Sequence, residues 1–217
     1  MHYLVLIGDI VASRDAKDRK GVQQKLESLL DDLNARPSRP ISPYTLTLGD
    51  EFQAVFDKAD PVFEDMVRIL RVMHPVRVRF SLGLGEITTE LNTEQALGMD
   101  GPAFYRARDG MSRLKDSGNL VRLEGLPDDW AALTGSSLRL LNQRILKWDA
   151  NRLAILHGLL TVKNKKDIAA ELGISVQAVY KNINAGELDA VIDYMQALTG
   201  ILNRFLKANS VTEQAGS

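Results

Sequence analysis

Alternation is clearest over residues 76–84, where Val76, Val78, Phe80, Leu82 and Leu84 take turns with Arg77, Arg79, Ser81 and Gly83. That period of two predicts a strand with one dry and one wet face. The apolar run from Tyr3 to Ile7 predicts another strand, which leads into Gly8-Asp9. Residues 45–48 and 52–56 are β-prone runs that flank Gly49-Asp50, a pair suited to closing a tight hairpin. Helical spacing appears instead in Val22, Leu26, Leu29, Leu30 and Leu33, which predicts a helix over residues 18–34 with one buried face. Phe63, Met66, Val67 and Leu70 predict a second helix over 61–73, ended by His74-Pro75. A third helix is predicted over 101–115 and a short closing strand over 119–123. The order is strand, helix, strand, strand, helix, strand, helix, strand, and it predicts an α/β (α+β) sandwich with helices on one sheet face.

From about Gly125 the pattern turns helical throughout, over 136–147, 150–160, 165–172, 176–184 and 187–207. The chain therefore divides into a mixed domain at 1–124, a linker and connecting helix at 125–147, a helical domain at 148–208 and a flexible tail at 209–217.

If the strands ending at Asp9 and Asp50 lie side by side, the two carboxylates meet at one end of the sheet. They repel one another unless a cation sits between them, which makes Mg²⁺ or Mn²⁺ the expected partner. The competing reading is that Gly-Asp pairs simply form turns. Net charge is −1, which argues against a polyanion binder by bulk charge but leaves room for a local basic face. With no cysteine, disulfides and thiolate metal sites are excluded, and His2, His74 and His157 lack metal-ligand spacing. No apolar run is long enough to span a bilayer and no leader is evident, so the expected location is the cytoplasm.

Three segments carry a resemblance. Asp9-Ile10-Val11-Ala12-Ser13 resembles the opening of class III nucleotidyl cyclases. Leu48-Gly49-Asp50-Glu51-Phe52-Gln53-Ala54-Val55-Phe56 is similar to their second metal-binding segment and to the Gly-Gly-Asp-Glu-Phe segment of diguanylate cyclases. Arg79-Phe80-Ser81-Leu82-Gly83-Leu84-Gly85-Glu86-Ile87 is similar to the cyclase strand that follows. The resemblance implies a palm-like sheet, with Asp9, the Ile10 carbonyl and Asp50 as metal ligands. It also implies that backbone N–H groups of Val11, Ala12 and Ser13, together with Glu51, receive a nucleotide's phosphates. It places Arg108 as the catalytic arginine. The chain departs from the cyclase pattern at Leu46, where adenine-selecting enzymes carry lysine, and at Phe104, where they carry asparagine. Nucleotide or metal binding is thus expected ahead of cyclisation, and whether the domain is an enzyme stays open.

Residues 165–184 resemble a helix-turn-helix. Ala169 allows two helices to cross closely, Gly173 supplies a left-handed turn, and Ser175 is an N-cap for the recognition helix. In that frame Gln177 and Lys181 face base edges, while Lys165, Lys166, Ser175, Tyr180 and Asn184 face phosphates. The stripe Leu188, Ile192, Met195, Leu198, Leu202, Phe205 and Leu206 suits either packing onto that unit or a homodimer through residues 187–207. A cyclase-like opening followed by a helix-turn-helix at this length resembles the bacterial SatD family. The combined expectation is a DNA-binding regulator whose first domain binds a nucleotide or a divalent metal. The alternative is a metal-dependent, nucleotidyl-cyclase-like enzyme whose helical end serves dimerisation or docking.

Overall fold

The structure is a computed structural model that describes residues 1–11, 19–47 and 49–207. In chain order the elements are β1 (His2–Ile10), α1 (Arg19–Asn34), β2 (Ser42–Leu46), β3 (Glu51–Phe56), α2 (Val62–Met73), β4 (Val78–Glu86), α3 (Pro102–Ser117) and β5 (Val121–Glu124). Five helices follow: α4 (Asp128–Ile145), α5 (Ala150–Leu160), α6 (Lys165–Leu172), α7 (Val176–Gly186) and α8 (Leu188–Lys207). The strands form one mixed sheet in the order β2-β3-β1-β4-β5, with β4 and β5 parallel and the other pairs antiparallel. Among the described residues, no helix is long and apolar enough to cross a membrane.

Strand parity decides what each face carries. Leu4, Leu6 and Ile10 of β1 share a face with Phe52, Ala54 and Phe56 of β3 and Phe80, Leu82 and Leu84 of β4. This face packs against α1 and α2, and the apolar cluster continues through α5 into α8. The opposite face presents Val5, Ile7 and Val55 to Ala103, Phe104, Ala107, Met111 and Leu114 of α3. Helices therefore cover both faces, where the sequence predicted one. The error lay in β4, whose supposedly wet positions Ser81 and Gly83 are buried beneath α3. They are small because the helix lies directly on the strand there.

Gly8-Asp9 is not a turn either. Both residues lie inside β1, paired with Phe52 and Glu51 on one side and Phe80 and Arg79 on the other. The missing Cβ at Gly8 leaves the space that the Phe52 ring fills, and Phe52 meets Phe80 edge-on with centroids 6.3 Å apart. Gly49, in contrast, takes φ of 73° in the β2–β3 turn, where the hairpin was expected.

The helical half is tied back to the sheet at several points. Asn142 of α4 lies against β5, and Asn203 of α8 accepts from the Ala59 N–H at 2.7 Å and donates to Asp60 at 2.9 Å. Of the expected apolar stripe of α8, Leu188, Met195, Leu198, Leu202 and Leu206 are buried within this chain, and Ile192 and Phe205 are partly buried against the same core. A homodimer through residues 187–207 would have to use the opposite, largely polar face of that helix, which carries Asp189, Asp193, Gln196 and Arg204.

Where α2 meets α5, Arg71 Nη1 lies 3.1 Å from His157 Nδ1. Arginine only donates, so the His157 proton sits on Nε2. Burial, reinforced by the Arg71 charge, lowers the His157 pKa from 6.5 to about 4. A base with a depressed native pKa binds fewer protons folded than unfolded, so its contribution is lost as pH falls. Stability relative to a His157→Gln variant is expected to decline as pH drops from 6.5 towards 4. Paired urea melts across that range check it, and parallel curves for the two proteins would contradict it.

Candidate functional site

The end of the sheet gathers charge in one row. Asp9 on β1 is directly opposite Glu51 on β3 and Arg79 on β4, so strand parity puts all three on the α3 face. Asp9 is only 6% exposed and is held from two sides. Arg79 Nη1 reaches its Oδ2 at 2.9 Å, and Lys115 Nζ, from the last turns of α3, reaches its Oδ1 at 3.1 Å. Arg79 Nε is buried without a partner. Burial pushes the Glu51 carboxyl above the usual carboxylate range; Lys115 opposes that shift and Asp9 adds to it. Two carboxylates and two cations thus share a corner that is buried at Asp9 and opens to solvent at Lys115.

The predicted phosphate and metal residues are placed as follows. Asp50 sits in the turn rather than on the ladder, and its carbonyl accepts from the Ile10 N–H at 3.2 Å. The carboxylate facing Asp9 across the strands is therefore Glu51. The backbone N–H of Val11, expected to be free for phosphate, donates to the Arg77 carbonyl at 2.8 Å. Ala12 and Ser13 lie outside the described residues. Asp9 has two basic neighbours in place of the expected metal ion, Arg79 and Lys115. Among the described residues, no group of three or more His, Asp or Glu side chains is placed to hold a metal ion.

Arg108 is not brought to this corner. It lies two turns earlier on α3, 3.7 Å from Asp100 and with its guanidinium 5.8 Å from the Phe104 ring centroid. Phe104 itself is fully buried between α3 and the sheet, so no polar group stands there. Lys115 and Arg79 are the site residues that sequence reasoning passed over. Lys115 follows Arg108 by seven residues, which puts it on nearly the same helix face but two turns closer to Asp9.

A second cluster of predicted residues lies on α6 and α7. Asn164 caps α6 by accepting from the Lys166 and Asp167 N–H groups, both at 3.0 Å. Gly173 takes φ of 63° between the helices, and Ser175 caps α7 by accepting from the Ala178 N–H at 3.1 Å. Gln177, Lys181 and Asn184 are exposed and, at successive spacings of four and three, share one side of α7. Lys165 Nζ lies 5.0 Å from the Tyr180 ring centroid, while Lys166 points to solvent. Ile183 is buried in the core of this unit, and Asn182 beside it donates to the Ala178 carbonyl at 3.0 Å.

No curated protein matches the chain in sequence. Two solved structures of bacterial light-regulated adenylyl cyclases are similar to parts of it. The first has 16% identity and a TM-score of 0.42 over 56% of this chain and 74% of the other. The second has 16% identity and a TM-score of 0.41 over 57% of this chain and 43% of the other. The SatD family profile matches residues 3–197, from β1 into α8, and the chain belongs to the SatD family.

Proposed function

We propose that this protein binds a nucleotide through its phosphates at the Asp9 end of the sheet, in the manner of a cyclase-like nucleotide-handling domain. The observation that carries this reading is the row Asp9, Glu51 and Arg79 closed by Lys115. Lys115 is half exposed, so it can swing away at low cost, whereas buried Asp9 cannot be left unpaired. A bare divalent cation fits this corner poorly, because Arg79 and Lys115 already neutralise Asp9 and would face the ion. A cation arriving with a phosphate fits better. The phosphate oxygens then take Lys115 and Arg79, and Asp9 and Glu51 are left to hold Mg²⁺ or Mn²⁺, which would neutralise phosphate charge. Cyclisation is expected to be absent or very weak, with apolar Phe104 buried and Arg108 engaged elsewhere.

A second reading, contact of α7 with duplex DNA, is favoured by one observation. Gln177, Lys181 and Asn184 share an exposed side of a helix that is capped at Ser175 and flanked by Lys165 and Lys166. That is the arrangement a helix-turn-helix offers to a major groove. The two readings can coexist in one chain.

One experiment addresses both. The protein is incubated with ATP or GTP and Mn²⁺, the products are separated, and the same mixtures are titrated into fluorescent duplex. Intact nucleotide with protection of the fold against heat supports binding without turnover. Robust cyclic product would make the protein a cyclase. Nucleotide that neither protects nor reacts would count against the first reading, whatever the duplex does.

A further inference from the structure

Helix α4 carries an apolar stripe that the fold does not use. Its inner face buries Thr134, Leu138, Asn142 and Ile145. On the outer face Trp130 is 38% exposed, Leu133 61% and Leu140 74%. With Ser137 and Arg144 these positions recur at intervals of three, four, three and four, the seam spacing of paired helices. Among the described residues, Leu133 and Leu140 are left mostly uncovered, and Trp130 is covered only in part. Two leucines left mostly in water beside a partly exposed tryptophan on one helix face mark an interaction surface.

The sequence of the helix says what covers it. Asp128 and Asp129 lie at its N-terminal end, and Arg139, Arg144 and Lys147 towards or just beyond its C-terminal end. Two copies running antiparallel set the acidic end of each against the basic end of the other, and their helix dipoles also oppose favourably. The small residues Gly135, Ser136 and Ser137 fall at the middle, where a two-fold axis would let the helices approach closely. With the axis between Ser136 and Ser137, Leu133 meets Leu140 of the second copy and Asp129 meets its Arg144. Each contact is made twice, as an isologous interface requires. Arg144 is ion-paired with Glu187 at 2.9 Å, but both side chains are about half exposed and the guanidinium keeps further donors. A groove between α4 and α8, lined by Ser137, Leu140, Leu141, Ala190, Val191 and Tyr194, opens beside Leu140 to seat Leu133 of the second copy.

We propose that α4 is the self-association face of this protein and pairs antiparallel with α4 of a second copy about a two-fold axis near Ser136 and Ser137. This interface is independent of the nucleotide reading; it is centred on α4 and meets residues 187–207 only at the groove beside Leu140.

Sedimentation velocity over a concentration series of the full chain tests association, and introduced thiols test register, since the chain has no cysteine of its own. A concentration-dependent dimer is expected, with Leu140→Glu weakening it by about tenfold or more while leaving the circular dichroism melt unchanged. Ser137→Cys alone should form a disulfide dimer under mild oxidation. Leu133→Cys alone should not, but should cross-link when mixed with Leu140→Cys. A monomer at every concentration would overturn the proposal. So would a dimer indifferent to Leu140→Glu, or one in which Leu133→Cys links to itself.

Discussion

Replacing Asn142 by alanine is expected to lower folding stability by about 3–5 kcal/mol, since it leaves three buried backbone groups without partners. Asn142 is 1% exposed, on the inner face of α4. Its Oδ1 accepts from the Leu120 and Val121 N–H groups at 3.0 and 2.9 Å, and its Nδ2 donates to the Val121 carbonyl at 2.9 Å. Two donors on one side and an acceptor on the other also fix which way the amide points. β5 is the last strand of the sheet, so these backbone groups have no further strand to pair with. The side chain does the work of a neighbouring strand and locks α4 onto the edge. Urea unfolding of Asn142→Ala checks the figure. A loss below about 1 kcal/mol would mean that water or another group replaces the amide easily.

Gly83→Ala is expected to cost about 3 kcal/mol, at the upper end for overpacking, because the added methyl meets backbone rather than a flexible side chain. An ideal Cβ there would lie 2.1 Å from the Ala103 carbonyl oxygen and 2.5 Å from the Ala107 nitrogen. Neither can rotate away, so α3 must lift from β4. The same helix carries Lys115 to Asp9, and a lifted α3 loosens that ion pair as well. Thermal and urea melts of the variant check the stability. Wild-type behaviour would show that α3 does not lie on the strand at this spacing.

Much of this architecture was legible because period-two and period-3.6 patterns report burial directly. The eight-element order of the first half, the Gly49 turn, and helices α5 through α8 to within two residues all followed from such patterns and their caps. What failed did so for identifiable reasons. Helix α4 was expected to start at residue 136, but it starts at Asp128. Thr134, Gly135, Ser136 and Ser137 have weak helix propensity, and burial of Thr134 and Leu138 overrides it. Pro127 followed by Asp128 and Asp129 was the helix-start signal that went unused. In β4 the pattern of small and charged residues was taken for a solvated face, since sequence does not distinguish a strand side facing water from one facing a helix at contact distance. That misreading also hid Arg79 as a partner of Asp9. Lys115 was hidden because its role depends on the direction in which α3 crosses the sheet, which local pattern does not encode. Asp50 was visible through its motif and lies in the β2–β3 turn, while strand parity, which the motif does not show, puts Glu51 opposite Asp9.

The central claim is that the Asp9 corner exchanges its own ion pairs for a metal–phosphate pair. Calorimetric titration tests it most directly, with Mg²⁺ alone, ATP or GTP alone, and each nucleotide with Mg²⁺, on the wild-type protein, Lys115→Ala and Asp9→Asn. The account predicts little heat from Mg²⁺ alone and clear binding when nucleotide and Mg²⁺ arrive together. Lys115→Ala should weaken that binding by roughly 10- to 100-fold, the worth of one charge-assisted hydrogen bond, and Asp9→Asn should abolish its dependence on Mg²⁺. Binding of Mg²⁺ alone as tight as binding with nucleotide, or nucleotide affinity unmoved by Lys115→Ala, would contradict it.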